Sequence, residues 1–258
     1  MTELAEYKTD NRVAYITINR PEKRNALNPR LVETLTDLFP RAGHDEDVKV
    51  VVLMAKGEVF SAGADLEYLQ ELQNNSSKDN LEDTIAIKVL LYTVYSLPKL
   101  VIAQVEGHAI AGGCGLAAVC DIVFAVPEAK FGYTEVKIGF VPALVACFLV
   151  RKLGEARVRE LLLSGDLITA ENASNYGLIN FISEKSEISG HVKSYAERSA
   201  SGVSGQSVAL TKQLIHSAQN KNLEDSLEDA IRLNVQTRSS ADCKKGIASF
   251  LEKKKLQW

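Results

Sequence analysis

Cysteine is scarce in this 258-residue chain: there are four (Cys114, Cys120, Cys147 and Cys243), and no two form a CxxC pair. That spacing offers no paired-cysteine metal site, and the mostly apolar neighbours of these thiols predict reduced core residues in a cytoplasmic protein. A basic surplus is also missing. A net charge of −3 argues against a nucleic-acid binder, which usually shows a basic face. No apolar run approaches the ~20 residues that a membrane helix needs. The longest, 140–150, is short and contains Pro142. The N-terminal stretch 1–8 is polar, without the apolar core of a signal peptide, so cytoplasmic localisation and no membrane partner are expected. HExxH, the phosphate-binding GxxxxGK[ST] and the GxSxG nucleophile elbow are all absent. Gly113-Cys-Gly-Leu-Ala-Ala118 mimics a dinucleotide fingerprint. It begins eight residues past Val105, the end of the preceding apolar run, whereas the true fingerprint starts at its strand's end.

What is present is a mixed pattern. Alternating or β-branched runs at 13–19, 48–54, 100–105 and 122–126 predict strands. A helix is predicted from Pro29 to about Phe39, capped by Asn28 with proline at its first position. Further helices are predicted at 66–72, 81–95, 143–152 and 155–163, and a short buried one at 116–120. In the 81–95 segment Leu81, Ile85, Val89 and Tyr92 share a face. The polar segment 73–79 is the candidate mobile stretch, and the acidic run 45–47 reads as a solvated turn. From Ala170 onward almost everything is helical: 170–176, 189–199, 208–219, 223–238 and 242–254. The fold class is therefore α/β, with a helical last third.

Two loops rich in small residues, 61–65 and 111–115, each follow a strand, and 130–135 is a short extended piece ending in the carboxylate of Glu135. Loops of this kind can aim two backbone N–H groups at one carbonyl oxygen, where a single donor is worth ~3 kcal/mol to a developing oxyanion. A carboxylate beside them could move a proton on the carbon next to that carbonyl.

Asn19-Arg-Pro-x-x-x-Asn-Ala-Leu27, Phe60-Ser-Ala-Gly-Ala-Asp-Leu66, Gly107-x-Ala-x-Ala-Gly-Gly-Cys114, Cys120-Asp121 and Phe131-Gly-x-x-Glu135 occur in this order. Leu163-Ser-Gly-Asp-Leu-Ile-Thr-Ala170, Tyr176-Gly-Leu-Ile179 and Phe250-Leu-Glu-Lys-Lys254 follow. The ordered set closely resembles the crotonase superfamily, the enoyl-CoA hydratase/isomerase family. The resemblance implies a spiral of ββα units over 1–195 and a helical region over 196–258 that builds homotrimers, often paired into hexamers. It implies an acyl-CoA thioester as substrate and no cofactor or metal beyond it. By position, Ala64 and Gly112 would hold the thioester oxygen, and Arg24, Ala26, Ala62 and Asp65 would lie along coenzyme A. Phe250 and Lys253 would reach its adenine and phosphate region, from the same or a neighbouring subunit. Glu135 would be the catalytic carboxylate.

One departure stands out. Hydratases of this family carry two glutamates, and the first falls on Gly115, which has no side chain. A single carboxylate fits double-bond isomerisation better than water addition, which must also orient a nucleophile. Glu106, His108 and Tyr133 are near enough in sequence to compensate, and Tyr68, Tyr92, Phe140 and Leu144 are candidates for shaping an acyl pocket. Enoyl-CoA hydratase activity, in fatty-acid or branched-chain acyl-CoA breakdown, and a non-catalytic acyl-CoA-binding oligomer stay open as alternatives.

Overall fold

The computed structural model describes residues 3–258; the first two residues of the polar N-terminal stretch lie outside it. The larger sheet has six strands in the order β1 (Ala5–Asp10), β2 (Val13–Ile18), β3 (Val50–Ala55), β5 (Leu100–Val105), β7 (Ile122–Ala125) and β10 (Phe181–Ile182). The smaller sheet has four: β4 (Val59–Ser61), β6 (His108–Ile110), β8 (Lys130–Gly132) and β9 (Ile168–Thr169). Except for β1 with β2 and β8 with β9, neighbours run parallel. The chain lays one strand in the large sheet, the next in the small sheet, and then turns into helix. It does so through β3–β4, β5–β6 and β7–β8, which is a spiral of strand–strand–helix units.

β3 shows why the large sheet is the core. Val50, Val51, Val52 and Leu53 are buried on both faces, as in a covered parallel sheet, and so read as a continuous apolar run. β1 is different. Only Ala5 is buried, and Asn11 and Arg12 carry φ of 47° and 67° in the tight hairpin turn to β2. Its polar edge sequence gives no apolar alternation, so the sequence reading passes over it, as it does β4, β6, β9 and β10, which are two or three residues long.

The helices in order are α1 (Pro29–His44), α2 (Leu66–Leu72), α3 (Ser77–Ser96), α4 (Gly112–Ala118), α5 (Ala143–Leu153), α6 (Glu155–Ser164), α7 (Ala170–Tyr176), α8 (Ile188–Gly202), α9 (Gly205–Ala218), α10 (Leu223–Arg238) and α11 (Ala241–Leu251). α1 starts as expected, with the Asn28 side chain accepting from Leu31 N–H at 3.0 Å. It runs past Pro40 because Phe39 and Ala42 continue the stripe of Leu31 and Leu35 into the core. The polar segment 73–79 is only partly loop. Ser76 and Asp79 form a reciprocal capping box that starts α3 at Ser77. The shared face of Leu81, Ile85, Val89 and Tyr92 is exposed; α3 packs through Leu90, Leu91 and Val94 instead. A boundary at residue 195 falls inside α8, whose Val192, Ala196 and Ala200 are buried against the large sheet. All four cysteines are free; Cys114 and Cys120 are buried and Cys147 is exposed. No helix among the described residues is long and apolar enough to cross a membrane.

Candidate active site

Three adjacent parallel strands of the small sheet, β4, β6 and β8, end side by side, so the residues that follow them emerge at one edge. Ala64 comes three residues after β4, Gly112 two after β6 and Glu135 three after β8. Parallel strands thus bring together three positions that are far apart in sequence.

The first loop is fixed from below. Leu27 N–H donates to Gly63 O at 2.6 Å and Asp65 N–H to Leu27 O at 3.0 Å. Between these bonds the N–H of Ala64 has no partner among the described residues, and Ala64 is exposed. Gly63 has a φ of 88°, and a Cβ placed on it would lie 2.8 Å from Ala111 Cβ and 3.5 Å from Gly112 N. The two loops are therefore in direct contact, and only glycine allows the approach. Ala111 adopts φ 49° and ψ −125°, a conformation that a residue with a Cβ rarely takes and that costs ~1–3 kcal/mol. Its N–H is anchored to Gly132 O of β8 at 2.8 Å. The turn releases Gly112 as the first residue of α4, whose N–H has no acceptor within the helix.

Glu135 opens a short 3-10 turn, Glu135–Ile138, closed by Gly139 at φ 76° and by Phe140 N–H donating to Glu135 O at 3.0 Å. One carboxyl oxygen, Oε2, is buried without a hydrogen-bond partner among the described residues. Burial raises its pKa above the ordinary carboxylate value, and no cation offsets this. Such a group readily takes up a proton. Tyr133 is wholly buried beside Cys114, and its hydroxyl makes no hydrogen bond of ordinary geometry. Burial pushes the Cys114 thiol up to about 12, which makes it inert as a nucleophile.

The other anticipated residues divide. Ala62 N–H donates to Arg24 O at 3.0 Å, so Arg24, exposed and left-handed at φ 50°, borders the first loop. Ala26 is buried, and its carbonyl accepts from Arg20 at 3.0 Å. Asp65 points inward: its carboxylate pairs with Arg20 at 2.5 Å and accepts from Glu67 N–H at 3.0 Å, capping α2. Burial would raise its pKa, but Arg20 and the Glu67 amide together hold it below its usual value. Phe250 and Lys253 stand apart on and after α11, Phe250 being 83 % exposed. Glu106 accepts from Gln104 at 2.5 Å. His108, at the start of β6 and so at the end opposite Gly112, accepts from Lys130 N–H at 3.2 Å. Tyr68 borders a cleft of about 520 Å³ between α1, α2 and α3, where Glu33, Asp37 and Asp83 also lie. Tyr92 and Phe140 are exposed, and Leu144 is half-buried against the core.

Sequence reasoning passed over the supports. Buried Asn25 accepts from Arg20 N–H at 2.9 Å and donates to Lys56 O and Val59 O, both at 2.7 Å, which ties the 20–27 segment to β4 and the residues before it. Its place in the Asn19–Leu27 motif was the available signal. Lys152 lies in α5, and its amine donates to Ala118 O and Cys120 O at 2.9 and 3.3 Å, holding the C-terminal end of α4.

Known proteins resemble this chain in sequence and in fold. The family model for enoyl-CoA hydratase/isomerase matches residues 8–258. A Thermus thermophilus protein with a provisional enoyl-CoA hydratase name is 40 % identical over 94 % of this chain and 95 % of its own. The (E)-benzylidenesuccinyl-CoA hydratase of Thauera aromatica is 33 % identical over 96 % of this chain and 95 % of its own. The crystal structure of an enoyl-CoA hydratase from Mycobacterium smegmatis superimposes with a TM-score of 0.92 at 28 % identity, over 100 % of this chain and 99 % of that one. The chain belongs to the enoyl-CoA hydratase/isomerase family of enzymes, the crotonase superfamily.

Proposed function

We propose that this enzyme moves a double bond along an enoyl-CoA thioester by a single-carboxylate proton transfer. The N–H groups of Ala64 and Gly112 hold the thioester oxygen. The Glu135 carboxylate takes a proton from C2 of a 3-enoyl group, and the electron pair passes to that oxygen as a dienolate. Protonated Glu135 then returns the proton to C4, giving the 2-enoyl isomer with no change in composition. No cofactor enters; coenzyme A is part of the substrate. Arg24, Ala26 and Ala62 border the path of coenzyme A, while Asp65 shapes the loop through Arg20.

The observation that carries this reading is the unpaired, buried carboxyl oxygen of Glu135 beside two loops with free N–H groups. A non-catalytic binder would carry that burial penalty without use. Water addition is the second reading, favoured by the hydratase names of the relatives. The test is Glu135→Gln. Turnover should fall ~10²–10⁴-fold while coenzyme A binding, measured by calorimetry, is retained. Near-parental turnover contradicts the assignment.

The same reading assembles the chains into homotrimers, alone or paired as hexamers. Leu223, Leu227, Ile231 and Val235 form a row along α10, 54–75 % exposed, of the kind that a second copy covers. Phe250 on the neighbouring α11 and Lys253 just after it are then free to reach a partner's coenzyme A. A monomeric mass in solution contradicts this assembly.

A further inference from the structure

A tight contact joins α4 to α5 close to the candidate site. Gly115 is buried one turn along α4 from Gly112. Positions three apart share a helix face, and helical side chains lean towards the N-terminus. A side chain at 115 would therefore extend towards the Gly112 end. That space is taken. A Cβ placed on Gly115 would lie 2.4 Å from Val145 Cγ1 and 3.6 Å from Val145 Cβ. Val145 is the third residue of α5 and only 5 % exposed. Its two branches at Cβ make it stiff in a helix, so the methyl cannot swing aside as a longer chain would. Position 115 accepts no side chain while Val145 stands opposite. The turn that carries Glu135 leads through residues 139–142 into α5, so Val145 and Glu135 lie on one continuous segment.

We propose that Val145 determines reaction specificity: by filling the space over Gly115 it keeps Glu135 the sole carboxylate at the reacting carbons and leaves no room at position 115 for a side chain that would hold a water. This rests on Glu135 being the proton carrier. Isomerisation shifts one proton from C2 to C4 and adds no atom. Hydration forms a C3–O bond, breaks the C2=C3 π bond and places a proton on C2, so it needs a water held over C3. An apolar methyl in that place favours the first outcome.

The test compares Gly115→Glu, Val145→Ala and the double variant. The shortening to alanine removes the 2.4 Å clash and keeps the 3.6 Å contact, which is ordinary packing. Readouts are the thermal midpoint, gain of one water by 2-enoyl-CoA and isomerisation of 3-enoyl-CoA. Gly115→Glu alone should lose several degrees, and the double variant should recover to the level of Val145→Ala. The double variant should add water at least ~10-fold faster than the parent enzyme, as a second carboxylate orients the nucleophile. Gly115→Glu with the parent's midpoint overturns the proposal. So does a folded, coenzyme-A-binding double variant that hydrates no faster. A parent that already hydrates as fast as it isomerises overturns it as well. Failure of the Glu135 reading is separately visible as undiminished turnover in Glu135→Gln, and it removes Val145's role too.

Discussion

Glu135 is a carboxylate in a setting that disfavours its charge, and this has a pH signature. Burial raises its pKa above 4.5 with no cation to offset it. In the proposed mechanism the group works as a base only when ionised, so the acidic limb of kcat/KM should lie above the ordinary carboxylate range. Stability follows the opposite course. A folded-state pKa raised above the unfolded value gives stability that is present below the unfolded pKa and is lost as pH rises through the raised one. Glu135→Gln, neutral throughout, should therefore melt above the parent enzyme at about pH 8, the gap closing towards about pH 4. A variant that melts lower at both pH values contradicts the burial account. At this scale the sequence was a partial guide. Glu135 stood out by its motif, but Asp65 looked like a ligand residue while its carboxylate is engaged by Arg20, which no local pattern announces. Asn25 stands in a quoted motif, but its role does not show there, because two of its three partners, Lys56 O and Val59 O, come from another segment.

Elements with helical spacing and a capping residue were legible, and very short strands were not. α7 and α10 match their predicted limits, because helical spacing and capping residues agree there. Apart from β8, which lies in the extended piece 130–135, the smaller sheet was hidden, since two- or three-residue strands carry no usable alternation. Long-range fastening was hidden too. Lys212 of α9 donates to Asp121 at 2.7 Å and to Lys99 O at 3.0 Å, and the same Asp121 oxygen accepts Val101 N–H at 2.7 Å. This clamp fixes α9 to the start of β5 and to the loop after α4. Asp121 was quoted as part of a family motif, yet its contacts here are with the framework. Lys212→Ala leaves a largely buried carboxylate without its cation and should destabilise the fold by ~3 kcal/mol in urea titration. A loss under ~0.5 kcal/mol would mean that the pair is solvated and adds little.

For the whole molecule, the spiral explains how distant motifs become one site. Each turn adds one strand to the small sheet, and the parallel ends of β4, β6 and β8 present Ala64, Gly112 and Glu135 along one edge. The motif order in the sequence is the order of those turns, so the fold family was readable while its geometry was not. The exposed apolar rows on α3 and α10 point outward from the single chain, and a periodic face alone could not say whether the core or another copy covers it. The proposed choice between reactions also belongs at this scale, because on that proposal it depends on which elements meet over α4. The most direct measurement is the mass of the products formed by the parent enzyme from a 3-enoyl-CoA and from a 2-enoyl-CoA of medium chain length. Interconversion of the two without a mass change, lost in Glu135→Gln, is the predicted result. Rapid conversion of the 2-enoyl substrate into a product heavier by one water would contradict it.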